Sequence, residues 1–263
     1  PEPRLKVLNE ILHPHKLVAV EAKYTDVGAS IKTLAQDKGL GGQLLNQLST
    51  VDTLICVVRV FKDDTLPHPQ RSIDVKRDIG TLNMELVFSD LAIMERRLEK
   101  LETSLKGAKP GERQGFLQEK DILLKFKVEL ENDKPLRELS IESAEARFVT
   151  NYQFLTAKPL LIIVNIGEEQ LAQAAAMEAE LGKQYEGSKC RVMTLCGKLE
   201  AELAQLEESA ATEFRAEYGI KESGLERTIK MSYELSDLIT FFTIASNEVR
   251  AWSIKKDTTA LKA

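Results

Sequence analysis

The chain has 263 residues, of which 43% are hydrophobic, and a formal net charge of −5 at pH 7. This length and composition are enough to bury a sizeable core and to build more than one domain. No apolar stretch approaches the roughly 18 residues of a membrane-spanning helix and no signal-peptide pattern opens the sequence, so we expect a cytoplasmic protein without membrane contact. The three cysteines and three histidines lack metal-ligand spacing, which argues against a disulfide framework or a zinc site.

Two apolar runs in the first 60 residues predict β-strands. Residues 17–24 alternate between apolar and polar side chains, which is typical of a half-exposed edge strand that ends shortly before Asp26. Residues 53–60 are almost continuously apolar and predict a central strand of a parallel sheet. We expect a helix between them, over residues 38–48.

The middle of the chain has the pattern of a helical hairpin. Between residues 84 and 105 apolar side chains recur in alternating steps of three and four, which predicts a helix with a heptad seam. Glycine and proline between residues 107 and 111 end that helix, and a second, less regular apolar stripe follows between residues 116 and 130. The sequence therefore predicts an antiparallel α-helical coiled-coil hairpin inserted into an α/β domain.

The predicted hairpin is basic although the chain is acidic. From residue 96 to residue 127 there are nine Lys or Arg and five Asp or Glu. A basic surface attracts phosphate groups and releases their counterions, so the hairpin is a candidate arm for a phosphate-rich partner. The alternative is a solvated helix face in a structural insertion. The candidate partner-binding residues are Arg96, Lys106, Lys109 and Arg113.

Two further strands end in polar loops. An apolar run at residues 159–164 is followed by Asn165 and, three residues later, by Glu168. Such a run predicts a buried parallel strand, and open α/β sheets bind ligands at the carboxyl ends of their strands, so Asn165 and Glu168 indicate a base-binding loop. A second short strand at residues 191–195 leads into Cys196, Gly197 and Lys198.

Together with residues 239–244 and 248–256, these two loops resemble the YchF/Obg-like ATPase family, a translation-factor-related branch of the P-loop nucleotide hydrolases. The resemblance covers nearly the whole chain. It implies an α/β fold with a mostly parallel, P-loop-NTPase-like sheet. The implied domains are a nucleotide-binding domain in two parts (residues 1–78 and 151–238), the helical hairpin (residues 79–150) and the start of a TGS-like domain (residues 239–263).

The resemblance also implies which nucleotide is bound. Asn165 and Glu168 match an Asn-x-x-Glu motif that replaces the Asn-Lys-x-Asp motif of GTPases. The Asp of the GTPase motif accepts hydrogen bonds from guanine groups that adenine lacks, so its replacement removes the main reason to prefer guanine. Cys196, Gly197 and Lys198 resemble a second base-contacting loop, in which small residues let backbone amides approach the base and a lysine stem covers it.

For the phosphates, the resemblance implies that Asp26 holds Mg²⁺ through water. Gly28 stands one position earlier than the family's switch glycine, and Ala29 takes its place, so contact with the γ-phosphate is expected to be weakened. The phosphate-binding pattern Gly-x-x-x-x-Gly-Lys-Ser/Thr does not occur in the 263 residues. We therefore expect the central portion of a family member, with an incomplete sheet, no assignable catalytic residue and little hydrolysis by these residues alone.

Two functions remain as alternatives. The first is an adenine-nucleotide-binding hydrolase that uses ATP, or also GTP, with Mg²⁺ and acts as a ribosome-associated switch. The second is a non-catalytic module that binds ribosome, RNA or protein without a phosphate loop.

Overall fold

The computed structural model describes residues 2–27, 42–68 and 70–261. Gly28 and Ala29, the predicted phosphate and switch residues, lie outside the described residues. The α-helices are α1 (Pro3–Leu12), α2 (Gly42–Ser49), α3 (Val75–Gly107), α4 (Pro110–Glu131), α5 (Ser143–Tyr152), α6 (Ala174–Gly182), α7 (Gly197–Leu203), α8 (Glu208–Glu217) and α9 (Gly224–Leu235). Short 3-10 helices span Leu136–Glu138, Leu155–Ala157, Glu168–Gln173 and Lys183–Tyr185.

A three-stranded parallel sheet lies at the centre of the largest core. Its strands are β2 (Leu54–Arg59), β3 (Leu160–Asn165) and β4 (Cys190–Leu195), in the order β2-β3-β4. β3 pairs on both sides and its first five residues are buried, as its continuous apolar sequence predicts. The register places the last residues of the three strands side by side, so their carboxyl ends are level.

A second three-stranded sheet contains β1 (Lys16–Val18), β5 (Leu238–Ala245) and β6 (Glu248–Lys255) in the order β1-β6-β5. β5 and β6 are antiparallel, and β1 runs parallel to β6. The edge strand predicted over residues 17–24 is therefore shorter than expected, and it lies at the edge of this second sheet and not of the parallel sheet. Beyond Val18, Val20 packs against a small core that includes Leu5 of α1 and Val249 of β6.

α3 and α4 form the long antiparallel helical pair. α3 begins before the apolar stripe because the side chain of Asp74 caps it by accepting from the backbone N–H of Arg77. Three ion pairs join the helices: Glu95 with Lys127, Arg97 with Glu119, and Glu102 with Lys120. Glu95 precedes Glu102 on α3 whereas its partner Lys127 follows Lys120 on α4, as an antiparallel arrangement requires. The side chains buried between the helices and the segments packed on them include Met94, Leu101, Leu123, Phe126 and Leu130.

Asp90 attaches α3 to the segment that leads into β3. Its carboxylate is fully buried and accepts from the backbone N–H of Leu155 (2.9 Å), the backbone N–H of Thr156 (2.8 Å) and the hydroxyl of Thr156 (2.6 Å). Burial raises the pKa of Asp90 to about 6, against the lowering effect of these hydrogen bonds. Asp90 thus adds a polar contact between α3 and the segment ahead of β3, beside the packing of Ile79 and Leu86 of α3 in the main core.

Within the described ranges, every helix is too short or too polar to cross a lipid bilayer.

Candidate nucleotide-base site

The loops after β3 and β4 meet at one edge of the parallel sheet. The hydrogen-bond ladder continues past the strand ends, since the backbone N–H of Ile166 donates to the carbonyl of Leu195 at 2.9 Å. On the other side, the N–H of Val60 donates to the carbonyl of Asn165 at 2.8 Å. The predicted base-binding loop and the second predicted loop are therefore adjacent in space.

Asn165 joins the two loops directly. Its side-chain oxygen Oδ1 accepts from the backbone N–H of Gly197 at 2.9 Å. A Cβ atom at position 197 would lie 3.1 Å from that Oδ1, closer than an ordinary contact, so glycine permits the approach. This contact fixes the Asn165 side chain at the strand end and leaves its amide nitrogen available to donate to a ligand.

Glu168 and Lys198 make a second link between the loops. Lys198 Nζ lies 2.9 Å from Glu168 Oε1, and the two side chains are 73% and 40% exposed. The hydrogen bond to Glu168 raises the pKa of Lys198. Glu168 opens a short 3-10 helix, and ahead of it the N–H of Gly167 donates to the side-chain oxygen of Gln170 at 2.9 Å. The pair is open to solvent and therefore accessible to a ligand.

Cys196 lies at the site through its backbone. It is the N-cap residue of α7, its carbonyl accepts from the N–H of Glu200 at 3.0 Å, and its side chain is buried in the main core with Leu199. The thiol therefore packs and does not face a ligand. Any contact of Cys196 with a base has to come from its main chain.

Sequence reasoning missed the group that holds the end of β4. The carboxylate of Glu178 on α6 accepts from the backbone N–H of Thr194 at 2.8 Å and binds Arg227 of α9 through both oxygens, at 2.7 and 2.8 Å. Arg227 also donates to the carbonyl of Thr194 at 3.1 Å. These contacts position the strand two residues before Cys196. No local pattern in the sequence marks this triad, because its members belong to three different elements.

A loop after β2 reaches the same edge of the sheet. The Arg59 guanidinium donates to the carbonyls of Phe61 (3.0 Å) and Asp63 (3.0 Å), which folds the loop back on the strand end. His68 Nε2 lies 3.2 Å from Oδ2 of the buried Asp78 of α3 and attaches the loop to that helix. No local pattern in the sequence marks these contacts.

Asp26 is not brought to the two base loops by any contact in the described part of the chain. It is exposed, two residues after Tyr24, whose hydroxyl lies 2.7 Å from the hydroxyl of Ser232 on α9. The residues at 2–27, 42–68 and 70–261 contain no group of three or more His, Cys, Asp or Glu that could hold a metal ion. A lone exposed carboxylate would contact Mg²⁺ only through the water of the ion, and the direct ligands would have to come from elsewhere.

A cleft of about 450 Å³ lies beside this site but is distinct from it. It is bounded by α7, α8 and α9 and lined by residues that include Glu200, Arg215 and Thr228. Asn165 and Glu168 do not line it. The predicted base-binding residues thus form an open edge and not the wall of this cleft.

The candidate partner-binding residues lie near the turn of the helical pair. Of the nine basic residues in this segment, Arg97, Lys120, Lys125 and Lys127 form ion pairs with carboxylates. The other five have no carboxylate within 4.0 Å among the residues that the structure describes, and all five are exposed. These five are Arg96, Lys100, Lys106, Lys109 and Arg113.

Comparison with known proteins gives consistent relatives, although no family model matches the chain. The chain is 35% identical to the ribosome-binding ATPase YchF of Bacillus subtilis over 258 aligned residues. The alignment covers 97% of this chain and 69% of that protein. The chain is 34% identical over 265 residues to the ribosome-binding ATPase YchF of Haemophilus ducreyi, covering 100% and 71%. The solved structure of the Schizosaccharomyces pombe YchF GTPase matches with a TM-score of 0.80 at 28% identity, over 99% of this chain and 70% of that chain.

Proposed function

The chain belongs to the YchF family, and from that premise we propose that it binds a purine nucleoside triphosphate at the edge formed by Asn165, Glu168, Gly197 and Lys198. We further propose that the bound nucleotide is hydrolysed, as the names of the relatives indicate for those proteins, and that the chain acts as a ribosome-associated switch. Hydrolysis by these 263 residues alone is expected to be slow, because they lack the phosphate-binding pattern Gly-x-x-x-x-Gly-Lys-Ser/Thr. The non-catalytic alternative receives no support from relatives that are named ATPases and GTPases.

The hydrogen bond between Asn165 Oδ1 and the Gly197 N–H carries this proposal. It holds two loops from neighbouring parallel strands at the position where open α/β sheets bind ligands. It also leaves the Asn165 amide group able to donate to a ring nitrogen. A polar side chain fixed in this way needs no reorganisation when the base arrives, which favours binding.

Adenine is accepted at this edge because Glu168 presents a carboxylate, which only accepts hydrogen bonds. The exocyclic amino group of adenine is a donor and suits it. Lys198 lies over the same carboxylate, and its aliphatic stem supports the base from the second loop. We propose that adenine nucleotides bind at least as tightly as guanine nucleotides.

Hydrolysis in this class depends on positioning and charge and not on a covalent side chain. Mg²⁺, when bound with the nucleotide, would neutralise charge on the phosphate oxygens. Asp26 is the residue that we propose to hold it through water. The base loops described above contribute orientation of the nucleotide, and Gly28 and Ala29 remain the proposed phosphate-contacting positions.

We propose that the α3–α4 pair is a coiled-coil arm that contacts ribosomal RNA. The five basic residues without a carboxylate partner in the described structure leave their charge available to phosphates, while the other four are neutralised within the protein. Between residues 100 and 113, around the turn, there are four basic and two acidic residues. This distribution favours attraction of a polyanion toward the turn.

Calorimetric titration with ATP and with GTP, in the presence of Mg²⁺, tests the nucleotide proposal. We expect Asn165→Ala to weaken ATP binding by about tenfold or more, because both the loop link and the donor to the base are lost. Asn132→Ala is the matched control, since Asn132 is an exposed asparagine after the end of α4 whose side chain donates to the carbonyl of Val128, far along the chain from the base loops. A guanine preference of about tenfold or more, or equal affinities of the Asn165 variant and its control, would contradict the proposal.

A further inference from the structure

We infer that the cleft bounded by α7, α8 and α9 is a second binding site, which takes a small carboxylate with an apolar body. The cleft has a volume of about 450 Å³, which is in the range of small-molecule sites. Asn165 and Glu168 do not line it, so this inference is independent of the proposed nucleotide site.

A contact between α7 and α9 fixes two walls of the cleft. Glu200 Oε1 of α7 accepts from the backbone N–H of Gly224, the first residue of α9, at 2.8 Å. A Cβ atom at position 224 would lie 3.0 Å from Glu200 Cδ, so glycine permits this close approach. The third wall, α8, is held by Ala211, which is buried in the main core. These contacts exist without a ligand, so the cleft is formed before one binds.

Arg215 of α8 brings a positive charge without a partner to the cleft. It lines the cleft, and its Nε atom is buried without a hydrogen-bond partner. Among residues 2–27, 42–68 and 70–261, no carboxylate oxygen lies within 4.0 Å of its guanidinium nitrogens. The sequence explains this, because none of the residues three or four positions away is acidic: they are Ala211, Thr212, Tyr218 and Gly219.

The free edge of this guanidinium favours a carboxylate. The Nε–H and a neighbouring N–H of arginine are parallel and can donate to both oxygens of one carboxylate. Arg97 binds Glu119 in this way, with Nε and Nη2 at 2.6 and 2.9 Å from the two oxygens. Glu200 also lines the cleft, but its bond to the N-terminal end of α9 offsets part of its negative charge.

The rest of the lining suits an apolar group. Leu225 of α9 is 66% exposed, and it lines the cleft together with Leu195, Ala201 and Ala204. An apolar group placed against these side chains removes hydrophobic surface from water, which favours binding. The ligand class is therefore a carboxylate with a branched aliphatic body, as in N-acetyl-leucine.

NMR titrations of the isotope-labelled full chain test the site through its backbone amides and the Nε–H of Arg215. The probes are N-acetyl-leucine, N-acetyl-leucinamide, which lacks the negative charge, and acetate, which lacks the apolar body. We expect N-acetyl-leucine to bind about tenfold more tightly than either of the others, because each of those lacks one recognised group. The shifts should fall on Arg215, Gly224 and Thr228, which line the cleft.

Two variants assign the recognition to the two parts of the cleft. Arg215→Gln and Leu225→Ser should each weaken binding of N-acetyl-leucine by about fivefold or more. Leu225 is mostly exposed, so its change leaves the fold intact even if Arg215→Gln lowers stability. Arg147→Gln is the matched control, because Arg147 is an exposed arginine on α5 that donates to the neutral Gln118 at 2.9 Å. Its affinity for the probe should be unchanged.

Four results would overturn the inference. Equal binding of N-acetyl-leucine and its amide would remove the role of the charge, and equal binding of N-acetyl-leucine and acetate would remove that of the apolar lining. An absence of shifts up to about 20 mM probe, where a site with a Kd of about 1 mM is nearly full, would remove the site itself. Displacement of N-acetyl-leucine by Mg²⁺-ATP would make the cleft part of the nucleotide site and not a second one.

Discussion

The base loops and the turn of the helical pair are both polar surfaces, but their charges are arranged in opposite ways. At the base loops the polar side chains are paired across the two loops: Asn165 bonds to Gly197 through Oδ1, and Glu168 pairs with Lys198. Near the turn, Lys106, Lys109 and other basic side chains have no carboxylate partner within the described residues.

This difference indicates two kinds of recognition. A hydrogen-bonded edge recognises a small ligand by the direction of its donors and acceptors, so a single substitution should matter there. A group of unneutralised cations attracts a polyanion by summed charge, so only several substitutions together should matter, and added salt should weaken the attraction.

The largest effect is expected at Asp90 of α3, which bonds to the segment ahead of β3 and so lies between the two regions. Asp90→Ala leaves the buried backbone N–H groups of Leu155 and Thr156 without an acceptor. We expect the free energy of unfolding to fall by about 2–4 kcal/mol, at about 1–3 kcal/mol for each unsatisfied group, less the relief from removing a buried carboxylate. Urea denaturation followed by circular dichroism measures this change.

Asp121→Ala is the control for that experiment, because Asp121 is an exposed aspartate on α4 and its loss should change stability by no more than about 0.5 kcal/mol. If the Asp90→Ala variant were as stable as this control, the hydrogen bonds of Asp90 would not stabilise the attachment of α3 to the segment ahead of β3.

A smaller effect is expected from reversing charge near the turn. The combined change of Arg96, Lys106, Lys109 and Arg113 to Glu should reduce ribosome co-sedimentation by about tenfold or more at low salt, because phosphate contacts are lost and counterions are no longer released. The dependence of binding on salt concentration should become shallower in the same variant. Circular dichroism and nucleotide binding should be unchanged.

A second variant with the same change in net charge controls for charge alone. It replaces Lys6, Lys183, Lys221 and Lys230 by Glu, all of them exposed and all outside the helical pair. An equal loss of co-sedimentation in both variants, or no loss in either, would reduce the helical pair to a structural insertion.

The sequence predicted those features that depend on local patterns. The continuous apolar run of β3 predicted a buried strand, and the periodic stripe predicted α3. The polar residues after β3 and β4 lie in two adjacent loops, and their ligand role stays a prediction. The sequence could not predict that β1 pairs with β6, because this pairing joins residues more than 200 positions apart along the chain. The same limit applies to the base loops. Asn165 and Gly197 are 32 positions apart, and only the register of β3 with β4 brings them together.

The sequence also did not predict which basic residues of the hairpin pair with carboxylates. Lys125 and Lys127 count as basic residues of the hairpin, but Glu145 of α5 pairs with the first and Glu95 of α3 with the second. The triad of Glu178, Thr194 and Arg227 also escaped notice, because two of its members are ordinary charged residues on helix surfaces. Long-range partners of this kind cannot be assigned from spacing along a single chain.

The central claim is that the two loops after β3 and β4 form one purine site, and the backbone amide of Gly197 reports on it most directly. Amide chemical shifts of the isotope-labelled protein, recorded while Mg²⁺-ATP is added, measure where the base binds. We expect the largest shifts on the residues whose contacts define the site, which are Asn165, Glu168, Gly197 and Lys198. Shifts concentrated instead on Arg215, Gly224 and Thr228, which line the neighbouring cleft, would contradict it.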